Sequence, residues 1–359
     1  MNESLGVLAS RGAATGVAPS ESGDPESTPT HDAAATPEVL FQIASGFMAA
    51  KHLFIANEVG LFSSLAGTSR RLDELALDTG IAEHRLRIVA DAMVSLGVLE
   101  RHGEAYRNGA AAAAFLSGSG DSDLRPVLRF WDQLSYPMWT GFGDAVRTGQ
   151  GRSPGELPAD KQRLYSEGVA AIQAAPAAAL AGSYDFSQHE RLLDLGGGNA
   201  SWLLAVLRRY AGLRGTLFEL PGPASLARQR LAEDPIAQRL VVMDGDFFQQ
   251  AIPTEHDVVL IANVMHLFSP ARNQDLLRRT RESVAAGARL LLADFWTNPE
   301  RTDPPFAALM AGEFLVITGE GDVYSAQQVK DWLDHTGWRV VDRNPLAGPM
   351  SLIVAEAIG

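Results

Sequence analysis

Arg191-Leu192-Leu193-Asp194-Leu195, followed by Gly196-Gly197-Gly198-Asn199-Ala200, is the stretch that decides the fold of this 359-residue chain. The first five residues are a short apolar run with one embedded acid, the pattern of a buried strand. The glycines let the main chain turn sharply at the strand end and let a ligand come close to the backbone. From Ser201 onward the apolar spacing is helical. Strand, glycine loop and helix in this order form the first turn of a nucleotide-binding sheet, whose ligand crevice lies at the carboxyl ends of the strands. The same residues also suit a tight turn with no ligand, so the loop alone does not define a site.

Outward from this loop, short apolar runs alternate with amphipathic stretches. The runs are 191–195, 214–219, 239–243, 257–263, 288–295, 338–342 and 351–356, and helices fit at about 200–210, 223–233, 271–285 and 325–336. Such alternation predicts an α/β fold with a doubly wound, Rossmann-like parallel sheet over residues 188–359. Residues 121–187 read as a helical bridge carrying Trp131, Tyr136, Met138, Trp139 and Phe142. Residues 37–120 begin with a helix expected to be capped at Thr36-Pro37. Next come a short helix ending at Thr79-Gly80, a second helix with Leu86, Val89, Ala90, Met93 and Leu96, and a hairpin turning at His102-Gly103. This is the outline of a winged helix. Residues 1–36 are rich in Ala, Gly, Ser, Thr and Pro and are expected to form a disordered tail.

Two later strand ends carry acids. Glu219 lies 21 positions after Gly198, close to the spacing of about 20 at which a carboxylate grips ribose hydroxyls. Asp246 precedes Phe247, and an acid beside an aromatic ring at a strand end suits an adenine base. Taken singly, Asp246 reads first as a turn residue and Phe247 as a core residue; together with the glycine loop and Glu219 they point to an adenosine-type ligand. A dinucleotide is the rival, but its fingerprint asks for Gly or Ala at position 201, which is Ser201. His266 follows the fourth run and faces the same crevice. Imidazole titrates near neutrality and can take a proton from a hydroxyl, although spacing alone allows a structural histidine. The other seven histidines are scattered, and no metal site is expected.

Bulk composition narrows the classes. The net charge of −13 argues against broad binding to a phosphate backbone. The absence of cysteine removes disulfides, thiolate metal sites and cysteine nucleophiles. No uninterrupted apolar run approaches the roughly 18 to 20 residues that span a membrane, and the N-terminus lacks a signal-peptide pattern. A cytoplasmic protein without membrane, nucleic-acid or metal partners is expected.

With these residues in place, the chain resembles the class I S-adenosylmethionine-dependent methyltransferases, specifically the small-molecule O-methyltransferases of plants and bacterial natural-product pathways. The likeness rests on Leu193–Ala200, Phe218-Glu219-Leu220-Pro221, Gly245-Asp246-Phe247-Phe248, Asn263–His266 and Gly287–Asp294. It extends to Ala56–Phe62, Leu72–Ala76 and the Trp139 to Gly149 bridge, and so covers about residues 38–357. The resemblance implies S-adenosylmethionine as cofactor. Gly196 and its neighbours would hold its methionine end, Glu219 the ribose and Asp246-Phe247 the adenine, with Asp194, Gly198 and Leu220 as further cofactor-binding candidates. It implies His266 as general base and a winged-helix domain that forms a homodimer.

The chain departs from the family at several points. Ala200 replaces a glycine and Glu219 an aspartate. Of the two acids the family sets near the histidine, Asp294 matches one and Val323 occupies the place of the other. Glu313 is a conceivable substitute, but spacing suggests that it faces solvent. Phe306, Met310, Phe314 and Ile317 share a helical face and, with Trp131, Tyr136 and Met138, are candidates to line a pocket for a phenolic or polyketide-like acceptor. C- or N-methylation, altered non-methylating chemistry, and DNA binding by the winged helix are the alternative readings.

Overall fold

The computed structural model describes residues 36–120, 122–152 and 157–359; the tail expected over 1–36 lies outside them except for Thr36. The first helix, Glu38–Glu58, begins one residue later than expected, with Pro37 at its N-cap. Phe54 and Ala56 are buried, while Val39, Leu40, Phe41, Ile43, Phe47 and Met48 are exposed. This helix has the length and average apolarity to cross a membrane, although no uninterrupted apolar run in it approaches that length. Gln42, Ser45 and Lys51 interrupt every continuous run, yet the average over the helix stays apolar.

The helices Leu72–Thr79 and Glu83–Ser95 follow. Each is followed by a glycine with positive φ, 70° at Gly80 and 72° at Gly97, a conformation that carries little cost without a Cβ. Strands β1 (Arg70–Arg71), β2 (Leu99–His102) and β3 (Ala105–Asn108) make an antiparallel sheet in the order β1-β3-β2. β1 is too short to show as an apolar run and was not expected. Leu75, Leu86, Ala90, Met93, Leu99 and Tyr106 fill the core of this unit. Arg87 and Arg101 pair with Asp91, and Arg107 pairs with Glu100. These wing and helix cations therefore already have acidic partners. This unit ends at Ser119, and a second unit spans Gly120–Gly359.

The second unit contains both the segment read as a bridge and the large sheet. Its helices include Arg125–Phe130, Phe142–Thr148 and the long Ala159–Ser183, with a five-residue π-helical turn at Trp131–Ser135. The sheet strands are β4 (Arg191–Leu195), β5 (Arg214–Glu219), β6 (Leu240–Asp244), β7 (Val258–Ala262), β8 (Arg289–Asp294), β9 (Trp338–Pro345) and β10 (Ser351–Ala357). Their order is β6-β5-β4-β7-β8-β10-β9. β10, inserted between β8 and β9, is antiparallel to both, and the other neighbouring strands are parallel.

Helices cover both faces, so the central strands are apolar on both sides; all five residues of β7 are buried. One face packs on Trp202, Leu203 and Leu207, and the other on Leu276, Leu277 and Leu333. The strand order reverses between β4 and β7, and ligands of such sheets sit at that reversal. The two loops that meet there are Gly196–Ala200 and Asn263–His266.

Candidate active site

The glycine loop leaves β4 with Gly196 at φ 72° and Gly198 at φ 58°. A Cβ on Gly196 would stand 3.0 Å from Val264 and 3.4 Å from the Phe247 ring. The three residues thus form a narrow cradle at the strand ends. Ala200 takes the left-handed conformation, φ 63°, at a cost of roughly 1–2 kcal/mol for a residue with a side chain. Arg230, on the helix Pro221–Leu231 that follows β5, donates to the Asn199 carbonyl and to Ser201 Oγ and so braces the loop. Nothing in the sequence pattern marked Arg230.

Asp194 is fully buried beneath the loop. Neither of its carboxylate oxygens makes a hydrogen bond of normal geometry. Burial first, then the charge of Glu219, pushes its pKa up to about 8, while the Leu203 amide pulls the other way. A Cβ on Gly197 would come within 2.1 Å of Asp194 Oδ2. Gly197→Ala must therefore move either the loop or the acid. Overpacking of this kind costs about 1–3 kcal/mol, expected as a lowered melting temperature together with weakened cofactor binding.

Glu219 closes β5 and is 8% exposed. Gly198 N–H donates to Oε2 at 2.8 Å and Leu220 N–H to Oε1 at 2.7 Å. Burial raises its pKa against these two amides, which lower it. Each oxygen keeps a further lone pair for a ligand hydroxyl. The Glu219 charge also raises the pKa of the Tyr165 hydroxyl, after the larger effect of burial. Asp246 is half-exposed and accepts from Phe248 N–H and Gln249 Nε2, the geometry of a turn cap. Gly245 before it lies so close to the Phe218 ring that a Cβ would meet it at 2.1 Å. Phe247 packs with Phe248 and Phe268.

His266 sits in a short 3-10 turn, Met265–Leu267, directly after β7. Its Nδ1 lies 2.6 Å from Asp294 Oδ1, at the end of β8, and both side chains are buried. Phe295 N–H donates to the same oxygen at 2.8 Å. A carboxylate can only accept, so Nδ1 carries the proton and Nε2 is left as the basic nitrogen. Phe314 stacks on the imidazole with centroids 3.7 Å apart and planes 13° apart, and Phe295 stands 6.1 Å away. Phe306 approaches Phe295 at 6.0 Å, and Met310 packs against the same cluster. The helix Pro305–Thr318 therefore brings Phe314 to the histidine, with Phe306 against the neighbouring Phe295.

Trp131 is half-buried and Tyr136 exposed on the bridge, and Trp131 makes no ring contact with this group. Val323 is buried, and Asp322 beside it pairs with Arg301. Neither supplies a second acid to His266. Glu313 is not solvent-facing as expected: it is 6% exposed and accepts from Ser135 Oγ at 2.8 Å and from the Trp139 indole N–H.

The glycine cradle, the acid at the end of β5 and the aromatic beside Gly196 fit an adenosine-bearing cofactor. The O-methyltransferase domain family matches residues 139–339, and the O-methyltransferase dimerisation domain matches residues 41–118. The chain belongs to the O-methyltransferase family. It is 29% identical to a 3-hydroxy-5-methyl-1-naphthoate 3-O-methyltransferase of Streptomyces sahachiroi, covering 87% of this chain and 92% of that one. It is 30% identical to a mitomycin biosynthesis 6-O-methyltransferase of Streptomyces lavendulae, covering 92% and 97%. The solved structure of PigF with SAH superposes with a TM-score of 0.77 at 26% identity, over 90% of this chain and all of that one; PigF is a methyl transferase of a Serratia strain. The chain is accordingly an S-adenosylmethionine-dependent O-methyltransferase.

Proposed function

We propose that the acceptor is a small aromatic or polyketide-like molecule, that one of its hydroxyls is methylated, and that His266 is the general base. The observation that carries this reading is the Asp294–His266 pair, buried at the reversal point of the sheet and walled by Phe314 and Phe295. Relatives named for naphthoate and mitomycin hydroxyl methylation support the same acceptor class.

S-adenosylmethionine, when bound, supplies a methyl group already activated on a sulfonium. Asp194 with the glycines Gly196 and Gly198 would hold its methionine end, Glu219 and Leu220 its ribose, and Asp246 and Phe247 its adenine. The chain's own chemistry is then positioning and proton removal. Asp294 fixes the imidazole tautomer, and Nε2 takes the hydroxyl proton as the acceptor oxygen becomes the nucleophile. Phe314 stacked on the ring holds it in one orientation and keeps water from it. Positioning supplies up to several kcal/mol, and the base adds about 10²–10⁴-fold. The exposed apolar side of helix Glu38–Glu58 lies in the dimerisation region and supports a homodimer as its covering partner.

Calorimetry with S-adenosylmethionine and S-adenosylhomocysteine tests the cofactor residues. Micromolar binding is expected, weakened at least tenfold by Glu219→Ala combined with Asp246→Ala, since each removes about 1–3 kcal/mol of hydrogen bonding. Unaltered affinity in the double variant would remove both residues from the site. Label transfer from S-adenosylmethionine to phenolic acceptors then tests the reaction.

A further inference from the structure

Glu313 is the one charged residue in the fourteen-residue helix Pro305–Thr318. It lies on the face of that helix that carries Phe306, Met310 and Phe314, seven positions from the first, three from the second and next to the third. Phe314 is the ring stacked on His266. Trp139 closes the neighbouring wall: a Cβ on Gly312 would meet its ring at 2.9 Å. A carboxylate therefore stands inside an otherwise apolar wall that ends on the catalytic imidazole.

Its hydrogen bonds are lopsided. Ser135 Oγ and the Trp139 indole N–H both donate to Oε2. Oε1 has no partner among the described residues, yet it is not one of the fully sealed oxygens. No cation lies within ion-pair distance of Glu313 among the described residues. A tether between the bridge and this helix needs only one accepting oxygen, which a glutamine amide supplies without a charge. A tether needs no charge, so it does not account for a carboxylate at this place in an apolar wall. A ligand donor on Oε1 does.

We propose that Glu313 is an acceptor-recognition residue. Its Oε1 receives a hydrogen bond from a second donor group of the acceptor, an amine or a further hydroxyl remote from the hydroxyl that is methylated. This rests on the acceptor reading above and narrows it: the preferred aromatic acceptor carries at least two hydrogen-bond donors, and an acceptor with a carboxylate at the second position is disfavoured by like charge. Glu313→Gln replaces Oε1 with a donating NH2 group while its remaining oxygen still accepts from Ser135 and Trp139.

The test is calorimetric binding of three probes, 1-naphthol, 5-amino-1-naphthol and 5-hydroxy-1-naphthoate, to the full-length chain saturated with S-adenosylhomocysteine. For the native protein the amine is expected to bind about tenfold more tightly than 1-naphthol and the carboxylate more weakly. In Glu313→Gln the amine preference collapses to about onefold and the carboxylate gains. Affinity for S-adenosylhomocysteine reports whether the variant is folded. Should it be lost, Glu313→Asp, which withdraws the oxygen by one methylene, is read the same way and is expected to lose the amine preference. No preference in the native protein, or an equal preference in native and variant, overturns the proposal, because a purely structural tether would leave the probe ratio unmoved. Label transfer from S-adenosylmethionine to the naphthol hydroxyls is followed in parallel. Transfer with a Glu313-independent ratio sinks this inference alone, whereas transfer to no hydroxyl sinks the acceptor reading itself.

Discussion

His266→Ala is expected to lower kcat/KM by about 10²–10⁴ while leaving S-adenosylmethionine affinity within about twofold. The imidazole belongs to the wall shared by Phe314 and Phe295, not to the glycine cradle, so its removal touches the acceptor side of the cleft. The size of the loss should depend on the acceptor. A phenol acidic enough to be ionised at the assay pH needs no base and should lose far less than an ordinary phenol. That difference separates proton removal from simple packing, because a lost ring stack would slow both acceptors alike. Turnover that stayed unchanged for the ordinary phenol would sink the assignment. Asp294→Asn should move the same way by a smaller amount. Its amide can offer an N–H to Nδ1 and so favour the tautomer whose Nε2 is already protonated. Truncating His266 also leaves Asp294 Oδ1 with only the Phe295 amide, and a modest fall in stability should accompany the loss of activity.

The parts of the molecule that local pattern determines were the parts open to reading. β4 and the glycine loop show as an apolar run and a turn that few residues other than glycine permit, and the next two strand ends announce Glu219 and Asp246 by position. Long-range partnership has no local signal. Glu313 read as solvent-facing because helical periodicity knows nothing of Ser135 and Trp139, which lie 178 and 174 positions away. The Asp294–His266 pair came from family likeness, since a separation of 28 positions carries no spacing rule. Arg230 is one arginine among many until its helix is placed beside the loop. The reversed direction of β10 is equally invisible, because an apolar strand reads the same in both directions. On the first helix, a few polar residues spread along the segment break every apolar run although its average stays apolar.

Asp194→Asn is expected to stabilise the cofactor-free protein, and by more at higher pH. An aspartate in the unfolded chain titrates near 3.9, whereas burial and the Glu219 charge hold Asp194 at about 8 in the folded chain. Below about pH 4 both states are protonated and the acid costs nothing. Between pH 4 and 8 the folded chain holds a proton that the unfolded chain has released, so native stability falls as pH rises by up to about 1.4 kcal/mol per unit. Above pH 8 the full penalty, of the order of several kcal/mol, is present. An asparagine cannot ionise, so the variant escapes this slope. Denaturant unfolding of both proteins at pH 5, 6, 7 and 8 should show a gap that widens steadily in favour of Asn. A gap independent of pH would mean that the carboxylate has a partner in solution that its geometry beneath Gly197 does not suggest. A fold that retains so costly an acid needs another reason for it. Its place under the glycine loop, beside Glu219, puts negative charge where a sulfonium and an amino group would be held. Saturating S-adenosylmethionine should therefore narrow the gap, because a bound cation restores to the native carboxylate what burial removes and gives the amide nothing.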